Sequence, residues 1–247
     1  MIKMIQELSI IIPTLNEENY IGKLLESLKE QEFLGKLQII VVDGHSEDNT
    51  REVIDRYKSN FGDLIVLRVR PGVGYQRNIG VSRAKYKYIL FLDADIILHR
   101  NFLNRFVRKI NPEERQVTAA VSWIVEDDLW SRLVMAMMIA GGMVVCFFDP
   151  ITPGGCLFTT QENHRLVGGF REDIIAAEDL DYGRRSINGG AKYHLILYPY
   201  VLHSGRRLRT VGALRLFWFY IKSYLLIKIY GIEIVNKLKY PFGKYGE

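Results

Sequence analysis

Two aspartates, Asp93 and Asp95, interrupt an otherwise apolar stretch that reads FLDADIIL. At the end of a buried strand, positions i and i+2 project to the same side. Adjacent carboxylates repel each other unless a cation lies between or beside them. An oxygen-ligated Mg²⁺ or Mn²⁺, completed by substrate phosphates and water, suits such a pair. A second acidic cluster, Glu178-Asp179-Leu180-Asp181, follows Gly168-Gly169-Phe170 and Arg171-Glu172-Asp173. It reads either as a helix start, where acids meet the positive end of the dipole, or as a carboxylate held in a pocket as a general base. Spacing alone leaves both readings open.

These residues need elements to hold them. Continuous apolar runs predict strands at Leu8–Ile12, Leu37–Val42, Leu64–Val69 and Tyr88–Leu92. Helical patterns lie between them, one with Ile21, Leu24, Leu25 and Leu28 on a face, another with Val53, Ile54 and Tyr57 after helix-start residues at Ser46–Thr50. Strands apolar throughout and separated by helices indicate a parallel sheet covered on both sides. Ligands of such sheets bind beyond the carboxyl ends of the strands. The four predicted ends carry Pro13-Thr14-Leu15-Asn16-Glu17-Glu18, Asp43-Gly44-His45-Ser46-Glu47-Asp48, Arg70-Pro71-Gly72-Val73-Gly74 and Asp93-Ala94-Asp95, all polar or charged. Further strands are expected at Val117–Val125 and Lys192–Leu197. The turn after the first strand has no glycine, and Gly72-Val73-Gly74-Tyr75-Gln76-Arg77 lacks the third glycine and follows the wrong strand. No phosphate loop ending in Gly-Lys-Ser/Thr occurs. Dinucleotide dehydrogenases and P-loop enzymes are therefore set aside.

The 247 residues include 33 Lys+Arg and 28 Asp+Glu, a net charge of +5, with 48% hydrophobic residues. That apolar content excludes a disordered chain, and two cysteines, Cys146 and Cys156, exclude a disulfide framework and point to a reducing, intracellular setting. The opening MIKMIQELSIIIP has no long apolar stretch or cleavage site of a signal peptide. The longest uncharged apolar run, Leu133–Phe148, has 16 residues, short of the roughly 20 that span a bilayer. Leu214–Tyr230 carries Phe217, Trp218, Phe219, Tyr220, Tyr224 and Tyr230, interrupted by Arg215, Lys222 and Lys228. It reads either as a helix lying in a membrane interface or as a C-terminal helix packed on the core.

The series IIPTLNEE, VVDGHSEDNT, RNIGVSRA, FLDADIIL and GGFRE…AAEDLDYGRR, in order from about Leu8 to Arg185, resembles family 2 glycosyltransferases of the GT-A fold. The resemblance implies an α/β, Rossmann-like, mostly parallel sheet flanked by helices. It also implies inverting transfer of a sugar from a nucleotide diphosphate sugar, helped by Mg²⁺ or Mn²⁺. Carried onto this chain, it makes Pro13, Thr14, Asn16 and Glu17 the first nucleotide-binding loop. Asp43 becomes the acid that meets the base, with Gly44 and Ser46 beside it. Arg77 and Asn78 are placed over the nucleotide and diphosphate, Asp93 near the ribose and metal, and Asp95 on the metal. Asp179 becomes the base that deprotonates the acceptor, with Glu178, Gly154 and Gly155 on the acceptor and sugar side. His203 sits where some relatives place a further metal ligand, and reads otherwise as a surface or core histidine. After His203 the chain reads HSGRRLRT instead of the Gln-x-x-Arg-Trp of polymer-forming synthases, so a processive synthase is not expected. Arg206, Arg207 and Arg209 are expected to face the diphosphate or an anionic membrane.

The resulting expectation is a glycosyltransferase domain over residues 1–205, with a nucleotide half to about 100 and an acceptor half beyond. A basic, aromatic helical extension follows over 206–247. The expected donor is a UDP-sugar rather than a GDP-sugar, and the acceptor a sugar or a lipid-linked molecule. The expected location is peripheral, on the cytoplasmic face of the membrane. The positive charge reads as a surface for diphosphate and anionic lipid, not for nucleic acid. Two alternatives stand beside this. A sugar-nucleotide pyrophosphorylase needs a Gly-rich, basic loop after the first strand, which TLNEE does not provide. A non-catalytic nucleotide- or membrane-binding protein would not need both acid pairs.

Overall fold

Apolar runs bounded by polar turns become the strands of one sheet. The structure, a computed structural model, describes residues 5–124, 129–150 and 152–238. In chain order the elements are β1 (Glu7–Thr14), α1 (Ile21–Lys29), β2 (Lys36–Asp43), α2 (Thr50–Asp55), β3 (Leu64–Arg68), α3 (Val73–Ser82), β4 (Tyr88–Leu92), β5 (Ile96–Ile97) and α4 (Phe102–Val107). There follow β6 (Gln116–Ile124), α5 (Leu129–Phe148), β7 (Cys156–Thr160), α6 (Gln161–Leu166), α7 (Glu178–Asn188), β8 (Lys192–His203), α8 (Arg206–Val211) and α9 (Ala213–Tyr230).

The eight strands lie in the order β3-β2-β1-β4-β7-β6-β8-β5. β1, β2, β3 and β4 run parallel, as do β6 and β8, while β7 runs antiparallel between β4 and β6. The mostly parallel α/β sheet expected from the sequence is thus the architecture observed. Alternation along β1 sends Ile10 and Ile12 to one face and Ile11 to the other. The first face packs on Ile21, Leu24, Leu25 and Leu28 of α1 and on Phe102 and Phe106 of α4. The second packs on Phe170 and Tyr182. Each fully buried Leu, Ile or Phe contributes about 1.5–3 kcal/mol, so the layered core rather than any single contact keeps the strand ends in place.

Register levels those ends. Thr14 sits opposite Asp43, and Asp43 opposite Arg68. The strand expected at Lys192–Leu197 continues to His203, with a register shift against β6 between Ala120 and Ser122. Two strands escaped the sequence reading, β5 and β7. The aromatic C-terminal segment is a helix, α9, that packs by one side: Ala213 and Leu216 meet Val134 of α5, and Ile227 meets Val235, Ile174 and Leu180. No helix of the described residues is long and apolar enough to cross a membrane. Val125, residues 239–247 of the expected extension, and the side chain of Arg207 lie outside what is described.

Candidate functional site

The carboxyl ends of β1 and β2 are stitched to each other. Asp43 is fully buried at the end of β2 and accepts hydrogen bonds from the Ser46 amide at 3.1 Å and the Ser46 hydroxyl at 2.5 Å through Oδ1. The Asn16 amide donates to that same hydroxyl at 2.9 Å, and the Glu17 amide donates to Thr50 Oγ1 at 2.7 Å. Gly44 donates its amide to the Thr14 carbonyl at 2.8 Å. Gln76, which the sequence reading passed over, donates from Nε2 to the carbonyls of Thr14 and Val42 at 2.8 and 2.7 Å. Buried amide donors this close to strand ends fix where the loops leave the sheet. Amid these pairings the Asp43 Oδ2 is buried and accepts no hydrogen bond from the described residues; the Arg68 Nε stands 4.0 Å away. An open acceptor in a buried position is satisfied well by an incoming N–H.

Asp95 lies one position from Ile96, which pairs with His203 in the short antiparallel contact of β5 with β8. That two-residue strand is what delivers His203 to the acids. Its Nε2 lies 3.2 Å from Asp95 Oδ1, while the Ser204 hydroxyl donates to Asp95 Oδ2 at 2.7 Å and the Ser204 amide to the Asp95 carbonyl at 3.1 Å. One ligand atom from each of Asp93, Asp95 and His203 falls within 4.8 Å of the others. Two carboxylate oxygens and an imidazole nitrogen fit Mn²⁺ or Mg²⁺, the nitrogen inclining the set toward Mn²⁺. Among the described residues, Asp93, Asp95 and His203 are thus a candidate metal-binding group.

Behind this cluster sits Arg77, one of the largest fully buried side chains of the protein. Its Nη2 donates to Asp93 Oδ1 at 2.9 Å and to the Gly154 carbonyl at 3.3 Å, and its Nη1 donates to Glu178 Oε1 at 2.8 Å. The ring of Phe170 lies under the guanidinium, 5.1 Å from centroid to Cζ. Burial works against its charge, yet Glu178, Asp93 and Asp179 outweigh burial and hold its pKa above the ordinary value. The sequence expectation put Arg77 and Asn78 over the nucleotide. In the structure Arg77 is sealed between the acids, and the half-buried Asn78 amide donates to the Phe170 carbonyl and Glu172, both at 2.9 Å, tying down the segment before α7.

Asp179 opens α7 beside Glu178. Burial, then the charge of Glu178, pushes its carboxyl well above the usual range, with Arg77 pulling the other way. The Thr152 hydroxyl donates to its backbone carbonyl at 2.5 Å, and a Cβ at Gly154 would stand 2.7 Å from its Oδ2. Gly155 accepts the Asp93 amide at 3.1 Å, so Gly154 and Gly155 lie between the two acid groups. On the opposite side Glu17 is pushed up to about 7 by burial, against the pull of Arg206. Arg206 grips it with two donors at 2.9 and 3.2 Å and comes within 3.9 Å of Asp95. Pro13, Thr14, Asn16, Glu17, Asp43, Gly44, Ser46, Asp93, Asp95, Gly154, Gly155, Glu178, Asp179 and His203 thus line or abut the same sheet edge. Gln76, Thr152 and Ser204 support it, and their only signal was proximity in sequence to residues already singled out.

The chain has known relatives in sequence and fold. The family described as Glycosyl transferase family 2 matches residues 9–151. The poly(ribitol-phosphate) β-N-acetylglucosaminyltransferase TarS of Staphylococcus aureus is 33% identical over 99 residues, covering 38% of this chain and 17% of TarS. Glycosyltransferase AglE of Haloferax volcanii is 30% identical over 198 residues, covering 74% of this chain and 62% of AglE. The chain thus spans less than two thirds of either relative. In fold it is similar to S. aureus TarS 1–349 in complex with UDP-GlcNAc, with a TM-score of 0.64 at 20% identity over 80% of this chain and 58% of that one. It is likewise similar to the mannosyltransferase PcManGT of Pyrobaculum calidifontis in complex with GDP-Man and Mn²⁺, with a TM-score of 0.63 at 21% identity over 87% and 64%. Matched across more than half its length, and folded around the same kind of sheet, this chain belongs to glycosyl transferase family 2.

Proposed function

We propose that the protein moves a sugar from a uridine diphosphate sugar to an acceptor hydroxyl with inversion, with a divalent cation held by Asp93, Asp95 and His203. One observation carries this reading: a metal-type donor set faces a buried carboxyl with a raised pKa, Asp179, and the Arg77 guanidinium bridges Asp93 of that set to Glu178, the neighbour of Asp179. Asp43 Oδ2 accepts an N–H from the base, and the 13–17 and 43–46 loops hold the nucleoside. The acceptor hydroxyl gives its proton to Asp179 as its oxygen bonds the anomeric carbon, and the carbon–oxygen bond to the diphosphate breaks on the opposite face. A cation bound at the acids supplies Lewis-acid stabilisation of the departing diphosphate. Asp179 needs its pKa near working pH to serve as a base, which is what burial beside Glu178 provides. The UDP-GlcNAc complex of TarS supports uridine, and the Mn²⁺ complex of PcManGT supports the ion. Under the same reading the protein works at the cytoplasmic face of a membrane, and its acceptor is a sugar or a lipid-linked molecule.

The test is thermal stability with UDP and GDP, each with and without Mn²⁺, because a ligand of the native state raises the melting temperature. UDP with Mn²⁺ is expected to give the largest rise, and Asp95→Ala to lose that rise relative to its own unliganded melting temperature. No rise with either nucleotide overturns the nucleotide-sugar reading.

A further inference from the structure

Two helices on one side of the molecule each leave an apolar stripe uncovered. On α5, Trp130, Leu133, Met137 and Val144 are each more than half exposed. At 100° per residue they fall within an arc of about 60°. On α9, Leu214, Trp218, Leu225 and Ile229 are each more than half exposed and also share an arc of about 60°. Exposed Lys222 and Arg215 lie along one edge of that second stripe.

The two helices run side by side in the same direction. Near their starts Val134 packs with Ala213 and Leu216, and near their ends Asp149, just after α5, meets the Tyr224 hydroxyl at 2.9 Å and Lys228 at 2.8 Å. With their contact faces turned together in this parallel arrangement, both stripes point to the same side of the pair. Neither helix contains a carboxylate, whereas together they carry Arg132, Arg215, Lys222 and Lys228. An exposed apolar surface of this extent marks an interaction site. Two tryptophans in the stripes, cations at their margin and no acids match an interfacial helix lying on anionic headgroups. A second copy fits less well, since a two-fold interface would bring Arg215 and Lys222 toward their own counterparts.

We propose that α5 and α9 together form a shelf that lies in the surface of an anionic lipid bilayer. The proposal rests on the membrane location of the preceding reading and names the surface that makes it. The shelf adjoins the base: Asp149 accepts from Arg184 of α7 at 2.6 Å, and Thr152, three residues further, holds the Asp179 carbonyl.

The experiment is co-sedimentation of the full chain with phosphatidylcholine vesicles, with and without phosphatidylglycerol, alongside light scattering without lipid. Wild type is expected to pellet with the anionic vesicles. The pairs Met137→Glu/Val144→Glu and Trp218→Glu/Leu225→Glu should each stay in the supernatant with unchanged circular dichroism. Arg215→Gln/Lys222→Gln should lose affinity for anionic vesicles by about fivefold per charge and keep weak binding to neutral ones. Wild type remaining in the supernatant overturns the shelf and the membrane location together, leaving the nucleotide-dependent melting shift to judge sugar transfer separately. Glutamate pairs that pellet like wild type overturn the shelf alone. A wild-type dimer that Trp218→Glu/Leu225→Glu converts to monomer, without vesicle binding, assigns the face to a second copy instead.

Discussion

Arg77 Nη1 and Glu178 Oε1 lie 2.8 Å apart across 101 residues of chain. The same guanidinium holds Asp93, so one buried cation sets the distance between the metal-side acid and the helix that carries the proposed base. Removing one partner from a buried ion network leaves the others unpaired, at a cost of about 3–5 kcal/mol. Arg77→Met is expected to lose stability on that scale in urea unfolding. Arg77→Lys keeps the charge but not the two-sided fork, and should recover part of the stability and little of the turnover.

Asp179→Asn should separate chemistry from stability. In the unfolded chain this carboxyl titrates near 3.9, whereas in the folded protein burial and then Glu178 hold it higher. Between those values the native state binds the extra proton, so wild-type stability falls as pH rises through the folded value. The asparagine variant has no such loss. Its melting temperature is expected to match wild type near pH 4 and exceed it at pH 8, while turnover drops about 10²–10⁴-fold. A melting difference that does not vary with pH would show that Asp179 is not held protonated by its surroundings.

Gly154→Ala places a methyl group 2.7 Å from Asp179 Oδ2, forcing the carboxyl aside. A displacement of about 1 Å in a reacting group can cost about 10² in rate. Turnover should fall on that scale with the dissociation constant for UDP and Mn²⁺ unchanged, as measured by calorimetry. Weakened UDP binding instead would place Gly154 on the nucleotide side.

Ser204→Ala removes the hydroxyl that donates to Asp95 Oδ2 at 2.7 Å. Loss of such a supporting contact typically weakens a metal site about 10–100-fold. Titration of Mn²⁺ in the presence of UDP should show that loss for Ser204→Ala and a larger one for His203→Ala. Unchanged Mn²⁺ affinity in both would remove the cation from this cluster.

β1, β2 and β4 were legible because each is covered on both faces, and double burial writes itself as an unbroken apolar run, as in Ile10 to Ile12 and Ile39 to Val42, while the half-buried edge strand β3 keeps the shorter run Leu64 to Leu67. β5 has two residues, and β7 has five, Cys156–Thr160, lodged between β4 and β6. β5 is too short to show a period, and β7, as long as β4, has only three apolar residues before Thr159 and Thr160 lead straight into α6. The acids could be found because each follows or opens a regular element. What Arg77 does was not legible: its partners are 16 and 101 residues away, and only the closed fold brings them to one nitrogen fork. The α9 sequence left packing and lipid contact open, and the helix has a side suited to each: Ala213, Leu216 and Ile227 inward, Trp218 and Ile229 outward.

The reversed course of β7 has a consequence for how such an enzyme diversifies. Parallel strands bring their ends to the working edge, but β7 brings its beginning, so Gly154 and Gly155 arrive there from α5 rather than from the nucleotide-side loops. Residues entering along that path can be exchanged or lengthened without altering the strands proposed to hold the nucleoside. One edge thereby inherits through two separate stretches of gene, and under the proposed function a lineage can change what receives the sugar while keeping what delivers it.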